Sequence, residues 1–146
     1  MKLSTRVRYG VRLMVELAER YGEGPVFLKD IASGQGISEK YLSIIVIPLR
    51  SAGLVFSARG ANGGYTLSRD PKAISLKDVV DVLEGEACLV DCVRDPSACD
   101  RNSHCSSRGV WQKVGDRISE ALSEVTLAQM ADDSLEKKQK MAGYEI

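Results

Sequence analysis

Apolar residues between Ser4 and Tyr21 recur at steps of three and four. Val7, Val11, Met14, Ala18 and Tyr21 form one stripe, which predicts an amphipathic helix with Ser4 as its N-cap. Gly22-Glu23-Gly24-Pro25 stops it. A short helix follows over Lys29–Gln35, and Gly36 marks a turn. A third helix begins near Ile37 with Ser38 in the cap position, and Leu42, Ile45 and Leu49 give it an apolar stripe. Pro48 should kink this helix or end its regular part, and Gly53 stops the segment. Two short helices joined by a tight turn make either a helix-turn-helix or a plain helical hairpin.

The pattern then changes period. Leu54–Ala58 and Tyr65–Leu67 read as strands, separated by Arg59-Gly60-Ala61-Asn62-Gly63-Gly64. The glycines permit the positive φ of a tight tip. A hairpin directly after a helix-turn-helix is a winged helix. Arg59 stands at the tip's base, where a guanidinium can enter a minor groove; the bland alternative is a surface hairpin with a solvated arginine.

Helical spacing returns at Ile74–Leu83, with Ser75 as cap, Asp78 in the first turn and Gly85 at the end. It returns again at about residues 110–130, where Val110, Trp111, Val114, Ile118, Leu122 and Val125 form one face. A helix of about 20 residues spans about 30 Å, too long for so small a domain to cover, so this face is expected to bury against a second copy. The polar stretch from Asp132 to Ile146 reads as a frayed tail. The expected fold class is mainly α with a small β wing: winged helix-turn-helix at 1–70, short helix and cysteine loop at 71–108, dimerisation helix at 109–131, tail at 132–146.

Composition adds limits. The chain has 146 residues, 44% hydrophobic and 27% charged, the size of one ordinary domain. No run of about 18 apolar residues predicts a membrane helix, and the N-terminus has no apolar signal core, so a cytoplasmic location is expected. Net charge is zero, but residues 1–72 hold eleven Lys and Arg against six Asp and Glu. A basic front facing phosphate fits this asymmetry, as does an ordinary solvated surface. Arg6, Arg8 and Arg12 divide between the same two readings.

The chemistry is concentrated in one stretch. All four cysteines (Cys88, Cys92, Cys99, Cys105) and the only histidine, His104, lie within Cys88–Cys105. The residues between them are mostly Asp, Arg, Asn, Ser and Pro, too polar to order the loop by burial. A bound metal centre would order it, because ligand binding and local folding share one free energy. The spacing of Cys92, Cys99 and Cys105 leaves three readings: an iron–sulfur cluster, a zinc site, or thiols that work by oxidation. A redox enzyme has little support, since there is no Cys-x-x-Cys pair, nucleotide loop or catalytic triad.

Several segments together resemble the Rrf2 family of bacterial winged-helix transcription regulators. They are Met1–Thr5 with Arg8-Tyr9-Gly10-Val11, Ile37-Ser38 with Tyr41-Leu42, Leu49-Arg50 with Ala52-Gly53-Leu54-Val55, and Arg59-Gly60 with Gly63-Gly64-Tyr65. The three cysteines that follow resemble that family's iron–sulfur branch. The resemblance implies a homodimer that binds a near-palindromic operator on double-stranded DNA. It implies a recognition helix carrying Ser38, Glu39, Lys40 and Ser43, and further DNA contacts from Arg50 and from the wing residues Arg59, Gly60 and Gly63. It also implies an iron–sulfur cluster on Cys92, Cys99 and Cys105, with 2Fe-2S favoured over 4Fe-4S. Two departures stand out. The branch usually has an acidic residue at the position of Ser43 and a polar one at Ile44. Its fourth ligand, a histidine three residues after the last cysteine, is here Arg108. His104 is the first substitute, Cys88 the second, and another group or an open site the third.

Overall fold

The computed structural model describes residues 2–144. Helix α1, Thr5–Glu19, starts where the Ser4 hydroxyl accepts the Val7 N–H at 3.2 Å, a local cap that needs no tertiary help. Helices α2 (Leu28–Gln35) and α3 (Glu39–Ser51) follow, and Ser38 caps α3 by accepting the Tyr41 N–H at 3.3 Å. Pro48 lies within α3 and has no N–H for the carbonyl of Ile44, yet the helix runs on to Ser51. Strands β1 (Val55–Ala58) and β2 (Gly64–Leu67) pair antiparallel, with Val55 opposite Leu67 and Ala58 opposite Gly64. Val26 and Tyr65 exchange two backbone hydrogen bonds of 2.8 Å, which pins the hairpin to the chain entering α2.

A 3₁₀ turn at Pro71–Ala73 leads to α4, Leu76–Glu84. Here Ser75 and Asp78 form a reciprocal capping box, with bonds of 3.1 and 2.9 Å. The cysteine segment contains one short helix, α5 (Asp91–Arg94), and 3₁₀ turns at Pro96–Ala98 and Asn102–His104. Then come α6 (Ser106–Ser123) and α7 (Leu127–Tyr144).

The last two helices correct the expected boundaries. One helix at about residues 110–130 and a frayed tail from 132 are replaced by two helices that break at Glu124–Thr126. The break has a physical cause. Thr126 pairs with Ser75 as an antiparallel bridge: the Leu76 N–H donates to the Val125 carbonyl at 2.8 Å and the Leu127 N–H to the Ile74 carbonyl at 2.9 Å. Extended backbone at the bridge cannot continue α6. Thr126 and Gln129 then cap the new helix reciprocally, at 3.0 and 3.2 Å. The predicted tail is therefore mostly helix, anchored by buried Leu127 and Ala131. Glu145 and Ile146, its last residues, lie outside the described residues.

The core gathers Leu13, Met14 and Leu17 of α1, Ile31 of α2, Leu42, Ile45 and Leu49 of α3, Val55, Ile74, Val79 of α4 and Leu127 of α7. Each fully buried Leu or Ile contributes roughly 1.5–3 kcal/mol. One charge enters this region. Glu16 is 4% exposed, accepts from the Gln35 amide at 2.5 Å and from Lys138 at 3.1 Å, and lies 3.7 Å from Arg20. Lys138 also donates to Glu19 at 2.7 Å, so α7 is clamped to α1 by ion pairs as well as by Leu127.

Candidate nucleic-acid interface and cysteine loop

Helix α3 divides cleanly. Leu42, Ile45, Val46 and Leu49 are buried, while Glu39, Lys40, Ser43, Ile44, Ile47 and Arg50 face outward. The buried stripe fixes the helix against α1 and α2, with the rings of Tyr9 and Tyr41 meeting edge to face at 5.8 Å. Ser38, expected at the DNA surface, is exposed and serves as the α3 cap. Ser43 donates its hydroxyl to the Lys40 carbonyl at 2.6 Å. Ile47 is an outward residue that periodicity did not single out. The signal was there, since positions 44 and 47 fall outside the 42-45-49 stripe.

The wing stands beside α3. Arg59 is exposed at its tip, and Gly60 adopts φ +104°. At Gly63 a Cβ would come within 2.6 Å of the Ala58 carbonyl oxygen, and at Gly64, with φ +130°, within 2.5 Å of that of Val26. Both glycines are thus required by backbone packing. Gly63 is buried, so its part at this surface is to shape the tip. An open groove of about 430 Å³ runs between the wing and the start of α3, lined by Glu39, Arg50, Arg59, Gly60, Gly63 and Tyr65 among others. The structure thus brings Glu39, Arg50, Arg59, Gly60 and Gly63 to one groove. Arg12 lies elsewhere and ties α1 to α2, donating to the Gln35 side chain at 2.8 Å and to the Gln35 carbonyl at 2.5 Å.

The cysteine loop is thinly held. No residue between Leu83 and Gly115 is buried. The four cysteines are free thiols; Cys99 is exposed and Cys88, Cys92 and Cys105 are partly so. Cys88 donates to the Val90 carbonyl at 3.0 Å and lines a small pocket with Arg94 and Trp111. Arg108, at the position where the iron–sulfur branch has histidine, donates to the Cys92 carbonyl at 3.2 Å and so ties the loop to α6. The Cys105 thiol is 3.2 Å from the Ser107 hydroxyl. That hydroxyl, with the Arg108 and Ser107 N–H groups, holds it below the ordinary cysteine value. His104 is exposed, its Nδ1 3.1 Å from the Ser103 hydroxyl. The donor set suits an iron–sulfur cluster or zinc in kind. The geometry is not gathered: among the described residues, no three His, Cys, Asp or Glu side chains stand together as a metal set.

A capped outward helix, a glycine-tipped hairpin and a basic groove between them define a winged helix-turn-helix protein. The chain belongs to the Rrf2 family of transcription regulators. Residues 3–133 match the family described as Rrf2, iron-dependent transcriptional regulator. The regulator CymR of Bacillus subtilis is 44% identical over 131 residues, covering 90% of each chain. Its solved structure, described as that of the global cysteine regulator, superposes with a TM-score of 0.76, covering 90% of this chain and 97% of that one. IscR of Yersinia pseudotuberculosis is 35% identical over 133 residues, covering 91% of this chain and 80% of its own. The structure of T. potens IscR is 43% identical with a TM-score of 0.75, covering 92% of this chain and 88% of that one. These relatives are DNA-binding regulators, and this chain is a regulator rather than an enzyme. Among the described residues no helix is long and apolar enough to cross a membrane.

Proposed function

We propose that the chain is a homodimeric cytoplasmic regulator that reads a near-palindromic operator through α3 and the wing, and that its cysteine loop senses iron–sulfur status. In this reading Cys92, Cys99 and Cys105 hold an iron–sulfur cluster, of the 2Fe-2S type, with His104 as fourth ligand and Cys88 as the alternative. The observation that carries it is the loop itself. Four thiols and the only imidazole sit on a segment without a buried residue, so a ligand would supply the order that burial does not. When bound, the cluster would supply a redox-responsive centre.

This chain's residues then connect the loop to the heads. Arg108 joins the Cys92 carbonyl to the first turns of α6, and Gly115 lets α6 approach the Ala87 carbonyl. Val110, Trp111 and Val114 remain 39–55% exposed on α6, and an open apolar cleft includes Leu3, Val11, Leu122 and Met130. A second copy would cover these surfaces, so reordering the loop would shift α6 and the spacing of the two recognition helices. By linkage, loop ligand and DNA would change each other's affinity by the same factor.

Thiol oxidation is the second reading. A relative favours it: Staphylococcus aureus CymR, 38% identical with a TM-score of 0.70, whose structure was solved in an oxidised form. Anaerobic purification with iron, sulfide and zinc analysis separates the cases. Iron with equal sulfide and visible absorption is expected, and Cys92→Ala should remove the colour; retained colour would take Cys92 out of the ligand set. Zinc without sulfide makes the site structural. Metal-free protein whose DNA binding follows thiol oxidation selects the second reading.

A further inference from the structure

Helix α3 exposes two isoleucines at the centre of the surface that should be most polar. Ile44 is 54% and Ile47 51% exposed, while Ile45 and Val46 between them are 0% and 2% exposed. The exposure therefore comes from a chosen face and not from a loose helix. Three residues apart, Ile44 and Ile47 lie in one row along that face. The polar side chain beside them, Ser43, already donates its hydroxyl to the Lys40 carbonyl. Charge is confined to the ends of the row, with Glu39 and Lys40 before it and Arg50 after it, and Arg59 stands across on the wing, leaving three cations against one carboxylate.

In the major groove each base edge offers hydrogen-bonding groups, and thymine alone adds a methyl group. An aliphatic side chain against a donor or acceptor edge would strip it of water and return nothing. Against a thymine methyl it removes apolar surface from water. The basic rim, on a front half with eleven Lys and Arg against six Asp and Glu, favours phosphate over a protein partner around this patch. We propose that Ile44 and Ile47 are specificity-determining residues that seat on thymine C5-methyl groups, so each operator half-site carries thymine opposite the middle of α3. The proposal rests on α3 being the recognition helix and adds what that helix reads.

The test begins with a duplex selected by the full chain from a randomised pool. Each thymine is then replaced in turn by deoxyuridine, which lacks only the methyl. At one or two positions per half-site, wild-type binding should weaken about four-fold for each methyl removed. That sensitivity should vanish in Ile44→Ala or Ile47→Ala, whose binding to the deoxyuridine duplex should match the wild type's. Deoxyuridine without effect at every position overturns the proposal, and so does equal sensitivity in wild type and both variants. Variants that change the association state while keeping methyl sensitivity would assign the patch to a protein contact. Arg59→Ala is the control for the underlying reading: if it loses the operator while deoxyuridine is silent, the winged-helix reading stands and the methyl reading falls. Failure to select any preferred duplex would defeat both.

Discussion

At the scale of single residues, the wing depends on backbone approach more than on side chains. Gly64 combines φ +130° with a Cβ position 2.5 Å from the Val26 carbonyl oxygen, at the point where Val26 and Tyr65 bond. Gly64→Ala should cost about 2 kcal/mol through strain and the lost bridge. Denaturant unfolding would read the loss, and unchanged stability would show that the bridge is dispensable. Arg108 illustrates a second residue-scale effect. It replaces a histidine expected at a ligand position, and its guanidinium is used on the Cys92 carbonyl instead. Such a substitution keeps the loop attached to α6 while removing one nitrogen donor from the set.

At the scale of elements, α7 shows what local chemistry can and cannot reveal. An isolated 18-residue helix is marginal in water, and this one is mostly polar on its outer side. Burial of Leu127 and Ala131, the capping box and Lys138 on Glu16 and Glu19 hold it. Burial works against the Lys138 charge, but the hydrogen bonds to Glu19 and Glu16 outweigh it and raise its pKa above the ordinary lysine value. Its stabilisation is thus fully present below that ordinary value and is lost as pH rises through the raised one. Lys138→Met should cost only about 1 kcal/mol near neutrality, because the ammonium is half exposed and screened. The gap to wild type should shrink above about pH 10.4; melts from pH 7 to 11 would check this, and a gap that widens would refute it. The serine caps at Ser4, Ser38 and Ser75 were legible because a cap is decided within four residues. Helix α7 was not, although Thr126-x-x-Gln129 is a capping signature, because its anchors meet partners more than a hundred positions away in sequence. The cysteine loop was legible as chemistry and illegible as geometry, since polar residues without a buried contact carry no pattern from which to read a shape.

At the scale of the whole molecule, the uncovered side of α6 governs the proposed assembly. Trp111→Glu would place a charge on the face the second copy is expected to cover. The variant should sediment as a monomer and lose roughly a hundredfold in operator affinity, since two linked heads would become one. A dimeric variant with unchanged affinity would move the interface elsewhere.

The pairing of Ile74–Leu76 with Val125–Leu127 has a consequence for the integrity of the chain. It brings together two points on either side of the exposed loop, while α7 lies against α1 near the other end of the chain. A protease nick at exposed Arg94 or Arg101 would therefore cut the molecule into pieces that still share one core. The two fragments should elute together from a sizing column and separate only in denaturant. Expressed as separate polypeptides, they should find each other by complementation, with the peptide bond across the loop dispensable for the head.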